Sequence, residues 1–321
     1  MKTVFLFFFL LTAVSYGQIL GCTDPLSVNY NPEATINDGS CLYKSVKLKP
    51  EYSVRLSDSV RETSGLTVFD HLLWTHNDDH DTTLYGLDSL GKIRKKVILQ
   101  NVINHDWEEI SQDSTHLYIG DFGNNYKGNR TDLHIFKIEK KDFLTGNPVI
   151  DTISFSYSDQ TDLKPQKRNT TNFDCEAFII TKDSIYLFSK QWISSKTAVY
   201  ALLNQSGRQI AQFKETLNTE GLVTGAAYLE AKKLIVLCGY SKTGKTFLYL
   251  LYDFKNHDFS TGNKRKTDLR LPFHQIEGIA TNDGLHYYIT NEKLVRQPIL
   301  NVPQQIHYLD LSSLLNSYLH K

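Results

Sequence analysis

Five stretches of the chain repeat one pattern, and this periodicity restricts the fold more than any other feature of the sequence. They are TSGLTVFDHLLWTHND from Thr63, WEEISQDSTHLYIGDFGNN from Trp107, CEAFIITKDSIYLFSKQW from Cys175, VTGAAYLEAKKLIVLCGYSK from Val223 and IEGIATNDGLHYYITNEK from Ile276. Each reads as a short apolar strand, a polar turn and a second, alternating strand. A third strand follows every copy, at TTLYGLD, LHIFKI, TAVYALL, FLYLLYDF and QIHYLDL. Fourth strands are expected at IRKKVIL, TISFSYS, QIAQFKET and TDLRL. A four-stranded antiparallel unit recurring at this length is one blade of a β-propeller. Eighteen Tyr and 17 Phe against a single Met agree with a strand-rich chain.

The expected fold is therefore all-β, a five-bladed β-propeller over residues 43–321. The step from Glu108 to Glu176 is the longest, and its surplus is the polar stretch SDQTDLKPQKRNTTN, read as a loop insertion. Six blades are the alternative, with a degenerate unit hidden in 139–172. The last copy ends near Leu315 without an outer strand, and the segment VKLKPEYSVRL belongs to no copy. That segment is expected to supply the missing strand and close the ring.

Aligning the copies puts Ser64, Glu108, Glu176, Thr224 and Glu277 at one position, the start of the innermost strand. Two residues later come Leu66, Ile110, Phe178, Ala226 and Ile279, so the five head residues share one face of their strands. Innermost strands line the channel of a propeller, which makes five oxygen-bearing side chains converge on the axis. Three carboxylates meeting there repel one another, and a hard cation relieves the repulsion. Calcium, with six to eight oxygen ligands and flexible geometry, suits this set. Glu108 and Glu109 compete for the channel-facing place. The match of Asp106-x-Glu108 to Asp174-x-Glu176 favours Glu108.

The order Ser, Glu, Glu, Thr, Glu at the blade heads, with HLLWTHNDDHDTTLYGL after the first and HLYIGDFGNN after the second, resembles the secreted calcium-activated nucleotidases, or apyrases. The resemblance spans roughly residues 60–295. It implies a five-bladed propeller, a central calcium held by the head residues, and hydrolysis of nucleoside di- and triphosphates. Thr224 departs from that family's serine, and SKQW at 189–192 departs from its phosphate-binding arginines. The blade heads also resemble those of phytase-like and lactonase-like propellers. Two function classes follow: a calcium-dependent phosphohydrolase, or a binding propeller with a structural calcium and a small-molecule, phosphorylated or glycan ligand.

The loops after each second strand surround the expected metal. Among their residues, Asp78 or Asp121 is the candidate general base, His76 the candidate acid, and Arg130, Lys190 and Lys242 the candidate phosphate ligands, with Trp192 and Asn291 completing the ligand ring. Competing chemistries lack their motifs. SKTGKT at 241–246 does not have the spacing of a phosphate-binding loop, and HExxH, CxxC and GxSxG are absent from the sequence.

Lys2, the apolar run from Val4 to Val14 and small residues at Ser15 and Gly17 have the order of a secretory signal peptide over residues 1–17. The run is too short for a transmembrane helix. The expected location is secreted, cell-surface or periplasmic. A lipoprotein box at Ile19–Cys22 is the lesser alternative, since it lies beyond the apolar run. Cys22 and Cys41 bracket a turn-rich module, residues 18–42, which resembles the short GCTDP…NYNP…DGSC module of many secreted bacterial proteins. A disulfide closing it stabilises by about 3 kcal/mol on chain entropy. The module is expected to be local and dispensable, its Asp and Asn residues capping turns or, in the alternative, holding calcium. Cys175 and Cys238 read as buried thiols. Lys+Arg 35 against Asp+Glu 35 gives no basic footprint for nucleic acid, and the chain reads as a monomer.

Overall fold

A computed structural model of the protein describes residues 17–146 and 148–320; the signal-peptide reading falls almost wholly outside them. Five four-stranded antiparallel blades follow one another in the chain, each running from an innermost to an outermost strand. Blade 1 is Thr63–Phe69, Leu72–Asn77, Thr83–Leu87 and Ile93–Ile98. Blade 2 is Trp107–Gln112, His116–Asp121, Leu133–Glu139 and Ile150–Tyr157. Blade 3 is Cys175–Ile180, Ser184–Ser189, Thr197–Leu203 and Gly207–Leu217. Blade 4 is Leu222–Leu229, Leu234–Tyr240, Thr246–Tyr252 and Asn263–Leu269. Blade 5 is Gln275–Thr281, His286–Glu292, Gln305–Asp310 and, from the N-terminal segment, Tyr52–Arg55. The region 139–172 contains helix Lys140–Thr145, the outer strand of blade 2 and a loop, so no sixth blade lies there among the described residues.

The burial pattern explains why the repeat was visible. Innermost strands are covered on both faces, and Cys175–Ile180 is buried throughout. Outer strands alternate, as in Asn263–Leu269, because one face meets solvent. Asp70 and His71, both at positive φ, make the tight two-residue turn of the first hairpin. Between adjacent blades lie separate apolar clusters, removing large aromatic side chains from water. Trp74, Trp107 and Phe143 fill the gap between blades 1 and 2, and Phe155 and Phe178 that between 2 and 3. Phe188, Phe247 and Phe259 lie between blades 3 and 4. Tyr287 and helix Ser312–Leu319 pack over blades 4 and 5, and Leu56, Leu66 and Ile306 join 5 to 1.

Two additions tie neighbouring blades together. The outer strand of blade 3 begins by pairing in parallel with that of blade 2, Ile153 opposite Gly207 through Tyr157 opposite Ala211, and only then crosses to its own blade. Upstream of the closing strand, Lys47–Leu48 adds in parallel to the edge of blade 4. The N-terminal segment thus touches blades 4 and 5, one more than its sequence suggests.

The Cys22–Cys41 disulfide is present, with Cα atoms 4.8 Å apart. Its module is not the detached spacer expected. Asp24 Oδ2 accepts from Tyr252 Oη (2.6 Å) and Tyr43 Oη (2.8 Å), and Asn37 Nδ2 donates to Asp253 and Asn263, both at 3.0 Å. Asn31, Asn37 and Asp38 accept backbone N–H groups two residues ahead, which is turn capping.

Candidate functional site

Each blade carries a β-bulge at its head. Glu108, Glu176, Thr224 and Glu277 are skipped by the ladder to the second strand, and blade 1 is irregular between Ser64 and Thr67. A bulge places two consecutive residues against one partner and breaks the alternation of faces. Glu108 and Glu109 consequently both turn inward, where one alone was expected. Glu109 is fully buried; its Oε1 accepts from Ile110 N (3.0 Å) and its Oε2 from Ala226 N of blade 4 (2.7 Å). The equivalent positions are Gly65, Ala177, Gly225 and Gly278, so four small residues make room for one carboxylate. Gly65 has φ +64°, and a Cβ there would strike the backbone of Glu109 and Ile110.

Above Glu109, where the innermost strands begin, a cavity of about 780 Å³ opens to solvent. Ser64, Glu108, Glu176 and Glu277 line it, together with Asp78, Asp106 and Glu292. Thr224 does not. Its hydroxyl donates to Ile276 O, and Ser64 Oγ likewise donates to Glu108 O (2.7 Å), so both hydroxyls join neighbouring blade heads. Glu108, Asp174 and Glu176 offer carboxylate oxygens within 4.8 Å of one another and are all buried, whereas Glu62, Asp78 and Asp79, equally close, are partly exposed. Asp174 is fixed by Asn124 N (2.6 Å) and by Trp192 Nε1 (2.6 Å). Gly123 lets the 121–125 turn approach this close, because a Cβ there would meet Glu108 and Asp106.

Burial and repulsion push several carboxyls of the cavity up. Asp106 rises to about 7, through burial and then Asp174. Glu277 rises to about 7 through burial, opposed by the nearby Lys190 charge. Glu108 and Glu176 rise well above the usual range, chiefly by burial. Asp78 reaches about 8, by burial with Glu62 and Asp79 beside it. One ammonium answers them at the floor: Lys190 Nζ lies 3.0 Å from Glu176 Oε1. That contact lacks hydrogen-bond alignment, and Glu176 Oε1, Glu277 Oε2 and Asp78 Oδ1 are buried without a hydrogen-bond partner. Higher up, Arg168, Lys242, Lys293 and Arg296 form a cationic rim with Trp192 and Phe273.

The loop residues singled out in the sequence divide between the cavity and its scaffolding. Asp78, Lys190, Trp192 and Lys242 line the cavity. Asp121, Arg130, His76 and Asn291 do not. Asp121 is buried, pairs with Arg130 at 2.8 Å and accepts from the backbone of His105 and Asp106, so this pair shapes the segment leading to Glu108. His76 is buried edge-on to Trp107, and burial lowers its pKa to about 4, which keeps it neutral and away from an acid's work. Asn291 donates to Glu292 O and Pro303 O and accepts from His307. Asp78 and Lys190, one residue past the second-strand ladders of blades 1 and 3, line the cavity, as do Tyr240 and Glu292, the last paired residues of the second strands of blades 4 and 5, opposite Leu222 and Gln275. Sequence reasoning missed Asp174 as a member of the acidic group and Arg168, Lys293 and Arg296 as the rim. The repeated Asp-x-Glu was the available signal for Asp174, whereas nothing in the loops marked the rim.

No protein-family model and no curated protein matches the chain. Among solved structures, the PQQ-bound aldose sugar dehydrogenase from Streptomyces coelicolor aligns over 82% of this chain and 98% of its own, at 10% identity and a TM-score of 0.47. A chain of the mitotic checkpoint complex aligns over 84% and 97%, at 9% identity and a TM-score of 0.42. The propeller assignment rests on the strand order itself, an acidic cluster able to hold a metal ion lies at its axis, and no described helix is long and apolar enough to cross a membrane.

Proposed function

We propose that this chain is an extracytoplasmic β-propeller that binds calcium at the floor of its axial cavity and holds a small anionic ligand between that floor and the cationic rim. The observation that carries the reading is the crowding of Glu108, Asp174 and Glu176 within 4.8 Å, with Glu277 also lining the cavity and one lysine as counter-charge. The donor set fits a hard cation. It is all oxygen, and Glu176 and Glu277 each keep a buried oxygen without a hydrogen-bond partner. Glu108, Glu176 and Glu277 would hold the ion, with Asp174 beside them. Bound there, calcium supplies Lewis-acid polarisation of a ligand oxygen. Arg168, Lys242, Lys293 and Arg296 supply the attraction and orientation of an anion at the mouth. The disulfide supports an oxidising, extracytoplasmic location.

Phosphohydrolysis is the second reading, favoured by Asp78. Its carboxyl lines the cavity with a pKa near 8 and an unpartnered Oδ1, so it can take up a proton near neutral pH. The resemblance of the blade heads to the calcium-activated nucleotidases supports the same reading. Calorimetric titration with calcium, and a phosphate-release screen over nucleotides and phytate with calcium and with chelator, test both. Calcium binding without phosphate release leaves the binding propeller; absence of calcium binding overturns the metal site.

A further inference from the structure

Lys190 is the first residue past the second strand of blade 3, and its backbone N–H is held by Asp174 O at 2.6 Å. That anchor sends the side chain inward, where it is 3% exposed. Its ammonium lies over the rings of Trp192 and Tyr240, 4.8 and 5.3 Å from their centroids, and 3.0 Å from Glu176 Oε1. A lysine head is strongly hydrated, so burying one is costly unless its surroundings are anionic. Here they are: two aromatic faces and the carboxylate cluster make a slot for one positive charge. The sequence suggests a phosphate-binding lysine, but a phosphate at the rim would find this charge already engaged with Glu176.

We infer that Lys190 is a built-in counter-cation that competes with metal for Glu176 and thereby weakens the affinity of the axial site. The inference rests on the calcium reading above. Without metal, the ammonium offsets part of the carboxylate repulsion. With metal, two positive charges share Glu176, and their repulsion in a poorly solvated cavity opposes binding. Replacing the lysine by a neutral chain of similar length removes the competitor and leaves the carboxylates in place. The chelated protein then loses its internal neutralisation and becomes less stable, while the gain on adding metal grows.

The test is calcium chloride titration by calorimetry, with melting curves in chelator and in calcium, on the full chain, Lys190→Met and Lys190→Gln. Methionine suits the aromatic slot; glutamine keeps a donor toward Glu176 and serves if the methionine variant fails to fold. The expected result is calcium binding at least tenfold tighter in the variants, a lower melting temperature in chelator and a larger rise with calcium. Variants that bind while the parent protein does not give the same support in stronger form. Unchanged or weaker binding in the variants, beside a parent that binds, overturns the role of Lys190 and leaves the metal site standing. No binding by any of the three removes the calcium reading and this inference with it.

Discussion

Glu109 of blade 2 accepts the backbone N–H of Ala226 in blade 4 at 2.7 Å, a hydrogen bond that crosses the channel between residues far apart in sequence. The same carboxylate takes Ile110 N, so one side chain satisfies donors on two sides of the axis. Glu109→Ala strands these buried donors, each costing about 1–3 kcal/mol. The expected outcome is destabilisation by about 2–4 kcal/mol in denaturant unfolding. A loss below 0.5 kcal/mol would contradict a central bridging role.

The acidic floor makes stability fall with pH in the absence of metal. Glu277 has a folded pKa of about 7 against 4.5, and Asp78 about 8 against 3.8, so both favour the native state while protonated. That contribution is complete below about pH 4 and drains away as pH rises toward 7 and 8. Asp113, lowered to about 2 by hydrogen bonds from Tyr118 and Thr115, acts in the opposite sense only at strongly acid pH. Melting in chelator should therefore decline from pH 5 to pH 8. The rise produced by calcium should grow over the same interval, because ligation needs ionised carboxylates. A chelated protein whose stability climbs across this range would refute the pKa assignments.

Ring closure depends on the segment before the first blade. Tyr52–Arg55 pairs with Gln305–Asp310, and Leu56 and Val60 are buried beside it. A chain beginning at Arg61 loses this ladder, leaves an open edge on blade 5 and uncovers blade 4 as well. It should melt earlier or aggregate, as seen by thermal scan and size-exclusion chromatography, and behaviour equal to the full chain would show that the ring closes otherwise.

Removing residues 18–42 should also be felt. Tyr252 and Asn263 lose polar partners in Asp24 and Asn37, a change of about 1–3 kcal/mol. Asp24→Ala isolates one part of this and should cost less than the whole deletion. Equal melting of the deletion and the full chain would restore the view of a detached spacer.

The blades were legible because each innermost strand is buried on both faces and each outer strand on one, which writes two different patterns at a regular interval. The head residues were legible for the same reason. Glu109 was not, because strict alternation assigns it to the opposite face; the small residue after each of the other heads, Gly65, Ala177, Gly225 and Gly278, was the available mark of the bulge. Asp121 and Asn291 pair in their ladders with Trp107 and Ile276, and alternation alone does not tell such a residue from a neighbour that lines the cavity. The rim of Arg168, Lys293 and Arg296 comes from an insertion and from the hairpin Leu294–Arg296 with Leu300–Val302, both outside the repeat. Such segments follow no period, so only their placement in space reveals them.

The strand Gly207–Leu217 gives the ring an uneven mechanics. Other neighbours in the ring meet largely through side chains, a contact that can slip by small amounts without breaking a main-chain bond. Blades 2 and 3 are stitched along five residue pairs from Ile153–Gly207 to Tyr157–Ala211, and cannot part without unzipping them. Glu108 and Asp174 sit on the two sides of that stitched joint. The fold has thus fastened together the two blades whose heads carry these crowded acidic groups, where a looser joint would let the charges spread apart.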